Sequence, residues 1–577
     1  LVALLLGLVG LFRGAVFAIG LIVALILLRQ QVLGWLRDGR ALLRSIRLES
    51  TGVTLMVVFA GILLIMALIM ALTPPAHWDG LTYHLVAVQR YLRDGRILAQ
   101  ADNFYLGLSQ NVEMLYGVAI GLFGRDTTAA PIHWGIGLLA LIGVAGLTRR
   151  FAGHAAAWLA VILLLSAYNL WALMGWSYID LGNLLFGTLA LIASVRWRET
   201  RGRGWIIVMG VILGLAMGVK YTAAGLGVGL GVFLLVHEPR QILRNGAVFG
   251  IAAALAFGLW AVKGTLLYGN PVYPFFFNGL NWDATRAAAF SFADRSLLAL
   301  GNGWQIPIIP VAATVFGQDN NDGFGFTAGA WLLTSWLLLP LVWRSLDERA
   351  RRLAKDGLTL LLPLIGFWMV MSAWSAVGIQ TRLMLMSLPA FAVTGALGFA
   401  GLANFPKKPI DINWMVRAAF AVTFALSFID KLATFTREQS LPYLMGQVTV
   451  GDFMYSNTGA YYGALQNLST LPAGSQVRFL WEPRTYHCPE TVTCIPDILF
   501  DHWVRPQFAG AAPDEVFAQF RDSGDDYVLF FHAGYYVYTT FSHHSDLDRL
   551  FPQAIEQVMT PVWTDGLRYT LYTWKTN

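Results

Sequence analysis

The sequence predicts an all-α polytopic membrane protein of about 12–13 transmembrane helices, carrying a small α/β extracytoplasmic C-terminal domain. Three observations predict it. Of the 577 residues 56% are hydrophobic and 13% charged, where a soluble domain carries about 25% charged residues. Apolar runs long enough to cross a ~30 Å hydrocarbon layer recur as far as residue 432 and then stop. The loops between them alternate between strongly basic and nearly free of basic residues.

Taken in order, the runs place spans near 14–29, 52–73, 128–148, 155–174, 181–195, 205–219, 222–236, 247–266, 326–343, 357–376, 383–402 and 413–430, with residues 1–11 as a further candidate. Arg13 interrupts the first run and no small-residue cleavage site follows it, so no cleavable signal peptide is expected. One set of loops carries Arg29 to Arg47, Arg149 and Arg150, Arg196 to Arg203, Arg240 and Arg244, Arg344 to Lys355, and Lys407 to Arg417. These hold just over half of the 40 basic residues, so that side is expected to be the cytoplasm. A net charge of +6 spread over such loops, without a basic patch interleaved with aromatics, excludes a nucleic-acid partner. The expected organisation is a transmembrane domain, 1–432, with external loops 74–126 and 268–326, followed by a soluble domain, 433–577, on the periplasmic or extracellular side of the cytoplasmic membrane.

The external side therefore collects the residues that carry chemistry. The first loop reads His77-Trp78-Asp79-Gly80-Leu81-Thr82-Tyr83-His84 and continues as a helix to Arg96. On that helix Leu81, Leu85, Val88 and Leu92 form an apolar stripe, expected to lie in lipid, while Asp79, Tyr83 and Arg90 share another face. Asp79 is either a helix cap or a functional carboxylate. Asp180, in Ser177-Tyr178-Ile179-Asp180-Leu181, has the same two readings. Two isolated acids on one external side suit a general base and a ligand for a cation or hydroxyl. Lys220 ends an apolar run, either snorkelling to the interface or acting as a point charge for a phosphate, and Arg382 in Gln380-Thr381-Arg382 is a second lone cation. Gly269-Asn270-Pro271-Val272-Tyr273-Pro274 reads as a rigid turn, and the loop beyond it, with Asn281, Trp282, Asp283 and the polar run Gln318 to Asp322, as either an acceptor or lid site or an ordinary long external loop.

Several of these segments resemble the membrane glycosyltransferases of the GT-C fold, close to the family of protein O-mannosyltransferases and aminoarabinose transferases. The likeness is carried by Asp79 to His84, Tyr178 to Leu181, Gly218-Val219-Lys220-Tyr221 and Gly269 to Pro274, with Asn111 to Tyr116 and Gln380 to Arg382 similar as well. The resemblance implies transfer of a sugar from a polyprenyl-phosphate donor to a protein, lipid or glycan acceptor. It implies that Asp79 is the catalytic acid/base and Asp180 the second acid, with a divalent cation as a candidate ligand of both. Lys220 and Arg382 would contact the donor phosphate, with Tyr83, His84, Arg90, Glu113 and Tyr221 also lining the substrate site. Relatives commonly carry two adjacent acids in the first loop; here Gly80 follows Asp79, which counts against the metal more than against the base. The alternatives are a non-catalytic accessory subunit of a membrane assembly that keeps the fold, and a transporter, which internal repeats and mid-membrane charges would favour.

Past residue 432 the apolar runs shorten to strand length. Val477–Trp481, Tyr527–Phe531 and Tyr569–Tyr572 read as buried strands and Pro513–Arg521 as a helix. Cys488 and Cys494, the two cysteines, lie close together in an expected oxidising compartment and predict a local disulfide. His543 and His544 read as a surface turn.

Overall fold

The structure, a computed structural model, describes residues 1–291, 293–316, 329–405, 408–541 and 545–575. Gln318, Asp319, Asn320, Asn321, Asp322, His543 and His544 lie outside the described residues.

Among these, six helices are long and apolar enough to cross a membrane: Thr51–Ala71, Asp126–Ser166, Pro239–Tyr268, Glu348–Trp374, Thr381–Leu402 and Ile412–Arg437. Two bent pairs, Gly14–Leu27 with Arg29–Leu42 at 77° and Tyr168–Gly175 with Asp180–Thr200 at 117°, raise the number to eight. Arg203–Met217 and Tyr221–His237 are shorter apolar helices. Local chemistry starts several of them. Ser50 Oγ accepts the Val53 N–H at 3.3 Å, Asp347 Oδ1 that of Ala350 at 2.7 Å, and Asp411 Oδ1 that of Trp414 at 2.9 Å, each satisfying a donor that a helix start leaves free. The runs expected near 128–148 and 155–174 share one helical stretch, Ala129–Ser166, broken at Gly153, whose φ of 82° and ψ of −178° only glycine adopts readily. Over the described residues 329–343 no continuous helix forms where a span is expected near 326–343. Gly329 and Trp331 both take positive φ, Pro340 supplies no N–H, and the chain proceeds through three short turns, Ser335–Leu338, Leu339–Val342 and Trp343–Ser345.

Apolar side chains face outward along these helices, Leu255 77% and Leu266 73% exposed on one helix alone, as a lipid-facing surface requires. The chain is an integral membrane protein. Segments grouped by the charge pattern touch their own kind. In the basic group Arg149 donates to Ser45 at 2.8 Å, Arg150 to Glu199 at 2.9 Å, and Arg198 pairs with Asp356. In the other group, Arg286 holds Asp501 through two bonds of 2.8 and 3.0 Å and Arg505 reaches Asn281 and Asp283 at 2.7 and 3.1 Å. The C-terminal region is thereby tied to both loops, 74–126 and 268–326, since Tyr486 also donates to Asp126 at 3.3 Å.

The C-terminal region carries one sheet of order β2-β1-β3-β5-β4, with β1 Gln476–Leu480, β2 Thr493–Ile495, β3 Tyr527–Phe531, β4 Met559–Thr564 and β5 Tyr569–Trp574. β1 is parallel to β2 and β3, and β5 is antiparallel to β3 and β4. β1, β3, β5 and the helix Pro513–Asp522 match the sequence expectation; β2, of three residues, is too short to announce itself, and Pro561 inside the mostly exposed β4 argues against a strand there. Trp481, Trp503, Phe517, Phe530 and Phe551 pack one face of the sheet. The Cys488–Cys494 disulfide is formed.

Candidate active site

The first loop leaves the helix Thr51–Ala71 and re-forms as a π-turn, Gly80–His84, running into the helix Leu85–Asp94. Such widened turns re-aim side chains and often mark functional positions. Asp79 stands just before it and caps nothing with its side chain. Its Oδ2 instead accepts from Arg382 Nη1 at 2.6 Å and from the Tyr83 hydroxyl at 2.9 Å, while its backbone N–H donates to the Tyr178 hydroxyl at 3.1 Å. Oδ1 makes no hydrogen bond among the described residues, although the carboxylate is 11% exposed. Burial acts to raise the Asp79 carboxyl, but the charges of Arg382, His84 and Lys220 outweigh it and hold the group below the usual carboxylate value.

Asp180 opens the helix Asp180–Thr200 without capping it. Its Oδ1 accepts from Lys220 Nζ at 2.9 Å, and its Oδ2 is buried with no partner among the described residues, as is Asn183 Oδ1 three positions on. Lys220 is thus paired rather than snorkelling, with its side chain 21% exposed. Arg382 lies over the Tyr178 ring at 5.7 Å, and its charge reaches Asp180 as well as Asp79. Asp79, Asp180, Lys220, Arg382, Tyr83 and Tyr178 therefore form one cluster drawn from four separated segments.

Other expected residues sit around or outside it. His84 donates from Nδ1 to Glu113 Oε1 at 2.8 Å, and both are buried beside Tyr83 and Tyr178. Arg90 is drawn away, holding Asp102 through bonds of 2.8 and 2.7 Å and Gln100 through one of 2.7 Å. Tyr221 packs edge-on against Phe257 and Phe275, next to Lys220 in the chain. The apolar stripe is not in lipid: Leu81, Leu85 and Val88 are fully buried inside the protein, Leu81 against the C-terminal domain and the other two against Val112, Tyr116, Ile179 and Val219. Periodicity marks an apolar face but is blind to what covers it.

With the geometry in view, comparisons with known proteins decide the fold. ArnT from Cupriavidus metallidurans bound to undecaprenyl phosphate superposes with a TM-score of 0.54 at 16% identity, covering 89% of this chain and 97% of that one. Its apo state gives a TM-score of 0.55 at 15% identity, covering 91% and 98%. The chain has the GT-C fold. Residues 118–263 match the family model described as dolichyl-phosphate-mannose-protein mannosyltransferase, a stretch holding Asp180 and Lys220. No curated protein sequence matches. The resemblance to GT-C membrane glycosyltransferases read from the residues is borne out.

Around this cluster stand residues that sequence reasoning passed over. His133 accepts the Leu181 N–H on Nε2 at 2.9 Å and turns Nδ1 to the carbonyls of Leu173 and Trp176 at 2.8 and 2.9 Å, fixing the bend that presents Asp180. Lys263, fully buried, donates to the carbonyls of Leu106 and Leu108 at 2.5 and 2.9 Å and to Gln110 at 3.1 Å. Each is a lone polar residue inside an apolar run. For Lys263 the signal was available, since an intramembrane cation is costly unless it has work to do; for His133 it was not.

Proposed function

We propose that this chain is an inverting glycosyltransferase that moves a sugar from a polyprenyl-phosphate donor to a hydroxyl of a protein, lipid or glycan acceptor at the external face of the cytoplasmic membrane. The observation that carries the reading is Asp79, an ionised carboxylate with one oxygen fixed by Arg382 and Tyr83 and the other left without a hydrogen bond among the described residues. A fixed base with a free oxygen is what removal of a hydroxyl proton requires. The undecaprenyl phosphate bound to ArnT, whose fold is shared, supports a lipid-phosphate donor, and the mannosyltransferase family match supports a sugar as the group moved.

In this reading Asp79 Oδ1 takes the proton of the acceptor hydroxyl as its oxygen bonds to the anomeric carbon. The bond from that carbon to the phosphate oxygen breaks on the opposite face, and its electron pair leaves with the phosphate. Lys220 and Arg382, each partly exposed, stabilise the charge that develops there. Arg382 has a second effect, keeping Asp79 ionised until the proton arrives. Asp180 Oδ2 and Asn183 Oδ1 offer acceptors to a second hydroxyl.

The residues present do not fit a divalent cation. Both carboxylates already hold cationic side chains, and the described residues contain no group of three or more His, Cys, Asp or Glu that could bind a metal. An ionised carboxylate oxygen at the mouth of the site also speaks for turnover over an accessory role. The test is purified protein in nanodiscs with labelled polyprenyl-phosphate sugars: the wild type releases the carrier phosphate and Asp79→Asn does not. Undiminished release from that variant would remove Asp79 as the base.

A further inference from the structure

The segment carrying Asp79 is gripped on both sides by the C-terminal domain. Trp78, immediately before Asp79, stacks against the Arg484 guanidinium at 4.3 Å, and the same guanidinium lies 4.2 Å from the Tyr461 ring on the domain side. Arg484 has no freedom to choose another position. Its Nε and Nη2 donate to the two oxygens of Glu482 at 2.8 and 2.7 Å, Nη2 also donates to the Tyr569 hydroxyl at 2.9 Å, and that hydroxyl donates to Glu482 at 2.5 Å. Two residues past Asp79, the Leu81 carbonyl accepts the N–H groups of both Thr485 and Tyr486, at 3.2 and 3.1 Å. The Leu81 side chain is fully buried in the core of the C-terminal domain, among Tyr461, Leu465, Val477 and Phe479. Tyr486 then reaches Asp126, and the Cys488–Cys494 disulfide closes the chain just beyond.

We propose that Arg484, with the backbone of Thr485 and Tyr486, forms a positioning clamp that sets Asp79 for proton transfer, so that the membrane domain's site is incomplete without the C-terminal domain. The anchored atoms belong to residues 78 and 81, one before and two after Asp79, and they bracket Asp79 where the chain enters the π-turn. A turn of that kind is rare and departs from the regular helix ladder, and here contacts from outside the membrane domain anchor its start. Among the described residues no hydrogen bond or ion pair joins the clamp residues to Arg382, Lys220 or Asp180, which bond to Asp79 and to each other, although Tyr486 packs near Ile179 and Val219. The clamp's direct anchors therefore fall on the segment of the base and not on the two cations. The role in turnover rests on the transferase reading above; the mechanical grip does not.

The test uses the full chain in nanodiscs with two readouts. Hydrogen exchange of the segment 77–86 reports the grip, and kcat with KM for a labelled polyprenyl-phosphate sugar reports its consequence. Arg484→Gln is expected to speed exchange in that segment about tenfold, to lower kcat about tenfold or more and to leave the donor KM within about twofold. Tyr569→Phe, which keeps the Arg484–Glu482 pair, is expected to stay near the wild type in both. Trp78→Leu removes the stacking partner from the other side while Glu482, Arg484 and Tyr569 remain bonded to one another; it repeats the test and decides it should Arg484→Gln unfold the C-terminal domain. Unchanged exchange in Trp78→Leu overturns the clamp. Faster exchange with unchanged kcat in an active enzyme overturns its role in positioning, as does a loss carried by KM alone. A wild type without transferase activity whose segment 77–86 still loosens in these variants upholds the grip and refutes the transferase reading instead.

Discussion

Two charged clusters lie on either side of Trp78, and they are built on opposite plans. In the C-terminal domain Glu482, Arg484 and Tyr569 satisfy one another: both carboxylate oxygens are bonded, the guanidinium is forked onto them, and aromatic rings close the remaining faces. In the membrane domain Asp79 and Asp180 each hold a cation by one oxygen and leave the other without a hydrogen bond among the described residues. Buried polar atoms in a structural network are nearly always paired, so oxygens left over beside partly exposed cations mark a place built for something that comes and goes. The closed cluster gives rigidity; the open one is the place we propose for chemistry. Burial alone distinguishes them poorly, because Asp180 and Glu482 are both almost completely enclosed.

The largest effect expected from this contrast is on Asp79. Asp79→Asn keeps the shape and the Tyr83 bond but cannot take a proton, and kcat should fall by about a thousandfold or more, with binding of the lipid phosphate retained. Single-turnover measurements with labelled donor separate the two. Equal losses in binding and turnover would show that the open oxygen serves the donor rather than the acceptor.

Next comes the Asp180–Lys220 pair. Lys220→Met strands a carboxylate that is 1% exposed, and breaking a buried pair from one side costs about 3 kcal/mol. Thermal unfolding should show the loss, together with weaker donor binding. Adding Asp180→Asn should restore most of the stability and none of the donor binding, since Lys220 remains absent. A double variant that regains both would reduce the pair to a structural ion pair of the closed kind.

How much of this was legible follows from the same physics. Asp79, Asp180, Lys220 and Arg382 stand out because a charge among apolar runs is costly unless it is used. Their pairing does not, because the bonds join residues 40 and 303 positions apart. Arg90 shows the limit. It shares a helix face with Asp79, yet Asp102, twelve positions on, captures it. The strands β1, β3 and β5 were readable as apolar runs bounded by turn residues, whereas the clamp was not, since Arg484 and Glu482 look like any exposed pair until Trp78 and Tyr461 cover them. The stretch near 326–343 is apolar enough to be taken for a span, and only the positive φ angles at Gly329 and Trp331 reveal that the backbone turns there.

Arg382 gives a prediction in pH. Burial pushes Asp79 up, and the opposing cations, Arg382 foremost, bring it below the ordinary value of 3.8. A group depressed in the folded state contributes stability above its unfolded pKa and loses it as pH falls through the folded one. In the wild type the base therefore stays ionised at every pH down to the acid range. Arg382→Gln removes the main opposing charge and leaves burial to dominate, so the acid limb of the rate profile should move up by about 1–3 units, and the stability that the wild type draws from the depressed carboxylate above its unfolded pKa should be missing in the variant. An acid limb that stays in place would mean that Lys220 and His84 suffice to hold Asp79 ionised.

The smallest effect belongs to the closed side. Cys488 and Cys494 are six positions apart, so their bond restricts only a short loop of the unfolded chain and is worth about 2 kcal/mol. The loop it closes follows closely on Tyr486, but the grip on Leu81 is made upstream, by Thr485 and Tyr486, which follow in the chain on the Arg484 that Glu482, Tyr461 and Tyr569 hold in place. Replacing both cysteines by serine should therefore lower the denaturation midpoint of the C-terminal domain while leaving kcat nearly unchanged. That separation is what a closed, redundantly bonded cluster implies: a loss at its margin lowers the total stability without displacing the members that hold the base. A kcat that falls in step with the midpoint would show that the disulfide itself sets the loop, and that the closed cluster is less self-sufficient than its bonds indicate.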